Sequence, residues 1–159
     1  MLIKNVHIES QDVPQDVRII NGKFTEIKNE IEKHDNEEVI DGNGKLLLPP
    51  FVDSHVHLDA TRTAGDPEWN ETGTLFDGIR ICCESINTLT KEDVKSRAKA
   101  TLREQVANGL QVVRSHVDVT DPNLTALEAL LEVKEEVKDQ VELQLVAFPQ
   151  AGILSTPNG

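Results

Sequence analysis

The segment Phe51-Val-Asp-Ser-His-Val-His-Leu-Asp59 joins an apolar, strand-like pattern to a His-x-His pair. Side chains two residues apart on a β-strand point to the same face, so we expect His55 and His57 to point the same way. Two imidazoles fixed on one face can hold one metal ion with little loss of entropy. His-x-His alone is a weak signal, and the alternative is two polar histidines without a ligand. The preceding apolar and proline residues Leu46–Pro50, with the following Asp59, favour the metal site.

Beyond this segment, strand and helix patterns alternate in the manner of βαβ units with a parallel sheet. Thr90-Lys-Glu-Asp93 has the character of a capping box, and Asn108-Gly109 is a helix C-terminal signal. Asp121-Pro122 is typical of a helix start. The predicted elements are helices at about 74–87, 90–108 and 121–139, and strands at 110–119 and 141–148.

Two faces are distinguishable on the predicted strand at 110–119. The aliphatic face carries Val113, Val117 and Val119, and the opposite face carries Arg114, His116 and Asp118. Polar groups at the carboxyl ends of parallel strands are where such sheets place their active sites.

Residues 1–48 read as β-structure and predict part of a small β-sandwich-type domain. Asn21-Gly22 is a strong hairpin signal between two apolar runs. Val39 to Gly44 predicts a strand that ends in a Gly/Asn turn. A few strands bury little apolar surface by themselves, so this domain is expected to need further strands.

Composition excludes several functional classes. The formal charge of −12 argues against nucleic acid as a partner, because phosphates would be repelled. The sequence has no apolar run long enough for a membrane span and no signal-peptide pattern, so a cytoplasmic location is expected. Cys82 and Cys83 are adjacent, which fits buried thiols and excludes the Cys-x-x-Cys half of the small-fold deaminase zinc site.

Several motifs resemble one family. Leu48-Pro-Pro-Phe-Val-Asp-Ser-His-Val-His-Leu-Asp59 resembles the first-strand signature of the amidohydrolase superfamily. Thr63–Gly78 is more specific and resembles the barrel-type bacterial cytosine deaminases, as do Ala107-Asn-Gly109, Arg114–Val119 and Ala147–Ser155. The resemblance implies an α/β fold, in which 49–159 forms the first three strand–helix units of a (β/α)₈ TIM barrel.

The resemblance also implies one catalytic divalent metal, held in part by His55 and His57. Imidazole ligands suit iron(II) and zinc alike, and iron(II) is preferred for a reducing cytoplasm. Gln150 is implied to hydrogen-bond the pyrimidine, because its amide offers both a donor and an acceptor. Leu75 matches a residue that lines the substrate pocket. From the residues alone, Gln150 would be a loop amide that closes a turn.

His116 is expected to fill the barrel or support the metal site without binding the metal, and Asp118 is expected to orient it. Asp59 is as well suited to capping the loop as to touching the site. His7 and His34 are expected to have no role in the chemistry.

The resemblance places a third metal-binding His, a proton-shuttling Glu, another His and a metal-binding Asp in later strands. None of them is in this sequence, so no catalytic acid or base is assigned before residue 159. A zinc site needs three or more protein ligands. The chain is therefore expected to require a missing C-terminal part, and the complete enzyme is expected to be a homo-oligomer.

Three functional hypotheses follow. The first is hydrolytic deamination of cytosine to uracil and ammonia, in pyrimidine salvage. The second is a related hydrolase acting on isoguanine, creatinine or an s-triazine; the loop Ala64–Asn70 with Gly73-Thr-Leu75 fits cytosine deaminases better. The third, from another class, is a non-catalytic, stand-alone fragment.

Overall fold

The computed structural model describes residues 1–9 and 11–154. Ser155, the last residue of the Ala147–Ser155 motif, lies outside these residues. The chain divides into two compact units, the first spanning Met1–Pro49 and the second beginning at Pro50.

The first unit is a four-stranded sheet in the order β3-β2-β1-β4. Antiparallel pairs join β1 to β2 and β2 to β3, whereas β1 and β4 are parallel. The strands are β1 Leu2–Ile8, β2 Gln15–Ile20, β3 Lys23–Lys28 and β4 Val39–Leu47. The predicted hairpin is confirmed, because Asn21 and Gly22 link β2 to β3 with φ angles of 52° and 72°. Among the described residues this unit forms one sheet, and the sandwich stays a prediction.

The predicted end of a strand at Gly44 is wrong. β4 runs on to Leu47, and Asn43 and Gly44, with φ of 51° and 71°, lie inside it. The register between β1 and β4 shifts at this point, so the positive φ angles form a bulge instead of a turn. The bulge also requires Gly42, where a Cβ would meet Val6 Cγ1 at 2.2 Å.

Arg18 is the main polar anchor of the first unit and is only 5% exposed. Its guanidinium donates to Glu37 Oε1 at 3.0 Å and to Glu26 Oε2 at 2.6 Å, and it also bonds the carbonyl of Glu32. The Arg18 hydrogen bond lowers the pKa of Glu37 from 4.5 to about 2. A buried charge with this many partners ties β2 to the segment before β4.

The second unit is a mixed α/β fold whose three strands form a parallel sheet in the order β5-β6-β7. The predicted alternation of strand and helix is confirmed, and it is consistent with the start of a parallel barrel. Its elements are β5 Phe51–Val56, α1 Leu75–Ser85, a 3₁₀ turn Ile86–Thr88, α2 Lys91–Ala107, β6 Leu110–Asp118, α3 Thr125–Val137 and β7 Glu142–Phe148. That these elements make up the first three barrel units stays a prediction.

The core of this unit lies between the sheet and the helices α2 and α3. Val113 and Val117 of β6 are fully buried, as the aliphatic face predicts, and Val119 lies just past the end of the strand. The other buried members include Leu58, Val94, Ala98, Leu102, Ala129, Leu130, Val133 and Leu143. Thr90 accepts from the Asp93 amide at 3.2 Å, so the predicted cap of α2 is confirmed.

Helix α3 begins later than the sequence predicts. Its first residue is Thr125, and Leu124 before it adopts a left-handed conformation with φ of 52°. Asp121 still caps the helix, because its Oδ2 accepts from the Thr125 amide at 2.9 Å. Asp121 Oδ1 accepts from Asn123, so the residues after Pro122 form a turn before the helix starts.

None of the helices that the described residues form is both long and apolar enough to cross a membrane. Cys82 and Cys83 are free and half-buried on α1. Burial raises the pKa of the Cys82 thiol to about 11, so this side chain packs as a neutral thiol at pH 7.

Candidate functional site

The two histidines of the His-x-His pair converge at the carboxyl end of β5. Their Nε2 atoms lie 3.4 Å apart, and their ring centroids are 5.3 Å apart. Two nitrogens that each lie about 2.1 Å from a tetrahedral metal are separated by about 3.4 Å. The spacing of His55 and His57 therefore fits two ligands of one metal ion.

Neighbouring side chains fix the backbone that carries this pair. Asp53 Oδ1 accepts from the His55 amide at 3.1 Å, and Asp53 Oδ2 accepts from Gln105 Nε2 of α2 at 2.8 Å. Just past His57, the Leu58 amide donates to Ser115 Oγ of β6 at 3.1 Å. The strand end is thus held from both α2 and β6 while its ladder is irregular.

His116 lies against His55. The two rings are stacked, with centroids 3.8 Å apart and planes 16° apart, and His57 lies 5.9 Å from His116. Burial, followed by the nearby His55 and His57, lowers the pKa of His116. His116 thus contacts the His55 ring on its face, and its supporting role stays a prediction.

Phe148, the last residue of β7, completes the aromatic cluster. Its ring meets His57 edge-on at 5.1 Å and His116 edge-on at 6.0 Å. Sequence reasoning missed this residue, although it directly precedes the Pro149-Gln150 pair that was singled out. An aromatic residue at the carboxyl end of a predicted parallel strand could have indicated a residue of the site, because active sites lie at that end of such sheets.

Asp118 does not take the role expected for it, which was to orient His116. Its Oδ1 accepts from the amide and the hydroxyl of Thr120, at 2.8 and 2.7 Å, and from the Gln150 amide at 3.3 Å. Its Oδ2 and His116 Nδ1 are both buried without a hydrogen-bond partner in the part of the chain that the structure describes. Asp118 therefore holds the loop after β7 instead of the histidine.

Asp59 links the ends of β5 and β6. Its Oδ2 accepts from the Asp118 amide at 2.8 Å. Burial raises the pKa of Asp59, and the Asp118 amide opposes that shift. The sequence left open a loop cap and a contact with the site for Asp59; in the structure its carboxylate ties the loop after β5 to the end of β6.

The two residues expected to contact substrate differ in setting. Gln150 is half-buried directly after β7 and is bound through its backbone to Asp118. Leu75 is the first residue of α1 and is 74% exposed. Gln150 therefore follows Phe148 of the aromatic cluster by two residues in the sequence, whereas Leu75 is an exposed residue at the start of α1.

A cavity of about 920 Å³ adjoins this region. Asp59 and Asp118 line it, together with the loop 62–70, residues of α1, and Arg97 of α2. Neither His55 nor His57 is among its lining residues. The cavity is therefore bordered by the linked carboxylates and not by the convergent imidazoles.

Within residues 1–9 and 11–154, no group of three or more His, Cys, Asp and Glu side chains is arranged to hold a metal ion. The chain thus offers two nitrogens with the right separation, and a stable zinc or iron site needs at least one more ligand. The donor set fits part of a metal centre.

The second unit is thus a parallel α/β sheet with paired imidazoles at the carboxyl end of β5, and this arrangement is consistent with part of an amidohydrolase barrel. The chain belongs to the amidohydrolase family, whose family model matches residues 38–159.

Relatives give more detail. The chain is 46% identical to a 5-methylcytosine deaminase from Klebsiella pneumoniae, solved with 5-fluorocytosine, and the match covers 99% of this chain and 38% of that one at a TM-score of 0.91. It is 31% identical to N-isopropylammelide isopropylaminohydrolase from Burkholderia multivorans, covering 98% of this chain and 39% of that one at a TM-score of 0.81. It is also 33% identical to N-isopropylammelide isopropyl amidohydrolase of Pseudomonas sp. strain ADP, over 96% of this chain and 39% of that protein. The chain thus spans about two-fifths of the length of these relatives.

Proposed function

We propose that this chain forms the N-terminal part of a metal-dependent hydrolase that deaminates cytosine or a close analogue. The observation that carries the proposal is the 3.4 Å separation of His55 Nε2 and His57 Nε2 at the end of a parallel strand. The similarity to a 5-methylcytosine deaminase over nearly the whole chain supports the substrate class.

In this proposal His55 and His57 supply two ligands for iron(II) or zinc, with iron(II) preferred. A bound divalent metal supplies a water nucleophile that is activated at neutral pH. In this proposal the remaining ligands and the acid–base group come from outside the described residues, among which no group of three or more potential metal ligands is found. The stacked His116 and the edge of Phe148 keep the two imidazoles oriented.

Gln150 is proposed to recognise the base. Its amide can donate to the ring carbonyl of cytosine and accept from a ring N–H, so it suits the cis-amide edge. Overall, water adds at C4 and the bond from C4 to the amino nitrogen breaks. One proton of the water leaves with the ammonia, and the other stays on the uracil ring.

The test is a chimera in which residues 1–154 replace the matching part of the Klebsiella enzyme, assayed for ammonia release. We expect release from cytosine or 5-methylcytosine, loss with His55→Ala, and an increased KM with Gln150→Ala. Activity that is unchanged by His55→Ala would contradict the proposal. Release from isoguanine or creatinine in place of the cytosines would move the assignment elsewhere in the family.

A second candidate is removal of an alkylamine from an N-alkylamino-s-triazine. It is favoured by the 33% identity to the Pseudomonas ammelide hydrolase. Both substrates carry an amino group on a ring carbon next to a ring nitrogen, so the same metal site serves either. A matched chimera with the Burkholderia enzyme separates them, because a substrate used by both chimeras is selected by this chain.

A further inference from the structure

The ladder between β6 and β7 runs to their last residues, Asp118 and Phe148, and side chains add hydrogen bonds beyond the ladders at this end of the sheet. The pairing of β5 with β6 ends at Val56 and Ser115. Beyond that point the Asp118 amide donates to Asp59 Oδ2, and the Gln150 amide donates to Asp118 Oδ1. A continuous chain of hydrogen bonds therefore runs from the exit of β5 through β6 to the loop after β7.

The first member of this chain is anchored to α2. Arg97 Nη1 donates to the carbonyls of Asp59 and Thr61, each at 2.8 Å. Arg97 Nε is held in turn by Asp93 Oδ2 at 2.8 Å. The backbone of Asp59 is thus fixed independently of its side chain, which leaves the carboxylate free to act on Asp118.

The second member of this chain, Asp118, is held by Thr120 as well as by Gln150. Thr120 donates twice to Asp118 Oδ1, through its amide and its hydroxyl. Two hydrogen bonds from one residue to the same oxygen give this carboxylate a defined position. The Gln150 amide, at 3.3 Å from the same oxygen, is held by a group that is itself fixed.

The arrangement carries a cost in stability. Asp59 Oδ1 and Asp118 Oδ2 are buried without a hydrogen-bond partner in the part of the chain that the structure describes. A buried polar atom without a partner is uncommon and destabilising. Each of the two linked carboxylates thus has one oxygen in a hydrogen bond to a backbone amide and one oxygen without a partner among the described residues.

We infer that Asp59 and Asp118 are positioning residues that set the location of Gln150 relative to the ends of β5 and β6. The consequence for catalysis rests on the proposed function, in which Gln150 recognises the base. The hydrogen-bonded path itself does not depend on that function.

The first experiment measures the path in the isotopically labelled chain by amide NMR. Replacing Asp118 by Ala is expected to shift the Gln150 amide resonance and to accelerate its hydrogen exchange about tenfold. Asp118→Asn keeps an acceptor oxygen and is expected to retain most of the protection. Asp59→Ala is expected to move the Asp118 amide directly and the Gln150 amide to a smaller degree.

The matched control is Asp41→Ala in the first unit. Asp41 Oδ1 likewise accepts a backbone amide, that of Asn43 at 2.8 Å. This variant is expected to leave the Gln150 amide unchanged. An unchanged Gln150 amide in folded Asp118→Ala would overturn the inference; if that variant does not fold, the same result in Asp59→Ala overturns it.

The second experiment uses the active chimera. Asp118→Ala is expected to raise KM about tenfold with a smaller effect on kcat, matching Gln150→Ala, and the double variant is expected to add little. A purely structural role predicts independent, multiplicative losses, and that result would overturn the inference. If the parent chimera deaminates nothing, the proposed function fails, and the NMR measurement alone decides the positioning role.

Discussion

The ring of His116 is stacked on the ring of His55, and Nε2 of the same His55 ring lies within 3.4 Å of His57 Nε2. The stacked centroids are 3.8 Å apart, and the two Nε2 atoms of the His-x-His pair are 3.4 Å apart. His55 thus has a ring face occupied by one histidine and a ring edge directed to another. This geometry separates a ligand role from a supporting role.

His55→Ala is expected to remove the metal binding of the isolated chain. With two nitrogens available, zinc or iron(II) should bind weakly and be stripped by a mild chelator. The measurement is a calorimetric titration with zinc alone. His7→Ala and His34→Ala are the controls, and binding that survives His55→Ala would contradict the ligand assignment.

His116→Phe is expected to retain most of that weak metal binding. A phenyl ring preserves the stacking surface against His55 and removes only the nitrogens. His116→Ala, which removes the surface, is expected to weaken binding more than His116→Phe does. If the Phe variant loses binding as completely as His55→Ala, His116 is a ligand and the supporting role is wrong.

The shared face of His55 and His57 follows from the two-residue period of a strand, which is local information. The stacking of His116 on His55 does not follow, because it depends on the register between β5 and β6. That register shifts between Asp53 and Val56, and no local pattern specifies the shift.

Two local sequence signals predicted the right local conformation but the wrong position in the secondary structure. Asn43-Gly44 has the positive φ angles that the sequence indicates, and the parallel neighbour β1 turns them into a bulge. Asp121 caps a helix, as predicted, but from four residues before its first turn. Ser115 is a polar residue on the aliphatic face of β6. A polar residue at such a position indicates a buried hydrogen bond, and Ser115 Oγ accepts one from the Leu58 amide.

Leu130→Ala is expected to destabilise the second unit by about 2–5 kcal/mol, because Leu130 is fully buried in the core between sheet and helices. The adjacent Leu131 is 50% exposed, so Leu131→Ala is the matched control with an effect within about 0.5 kcal/mol. Urea unfolding followed by Trp69 fluorescence measures both. Equal losses in the two variants would contradict the orientation of α3.

Acid is expected to weaken the first unit through Glu37. Arg18 lowers the pKa of this carboxylate from 4.5 to about 2 in the folded state, so the carboxylate stabilises the fold above pH 4.5. That contribution is lost as the pH falls from about 4.5 towards 2. Glu37→Gln should reduce the difference in amide protection of β2 between pH 6 and pH 3, whereas Glu38→Gln, at an exposed neighbour, should not. An unchanged pH dependence in Glu37→Gln would show that other groups determine it.

Gly65→Ala is expected to disturb the loop after the His-x-His strand more than a matched change at Gly73. Both glycines have positive φ, 84° and 65°, so an alanine at either position carries a similar backbone strain of about 1–2 kcal/mol. A Cβ at Gly65 would lie 2.8 Å from Trp69 Cε2, whereas a Cβ at Gly73 would meet open space. Trp69 is the only tryptophan, so its fluorescence reports directly on this contact. We expect a shifted emission maximum in Gly65→Ala and a parent-like maximum in Gly73→Ala; the same spectrum in both variants would show that Gly65 does not pack against the indole in solution.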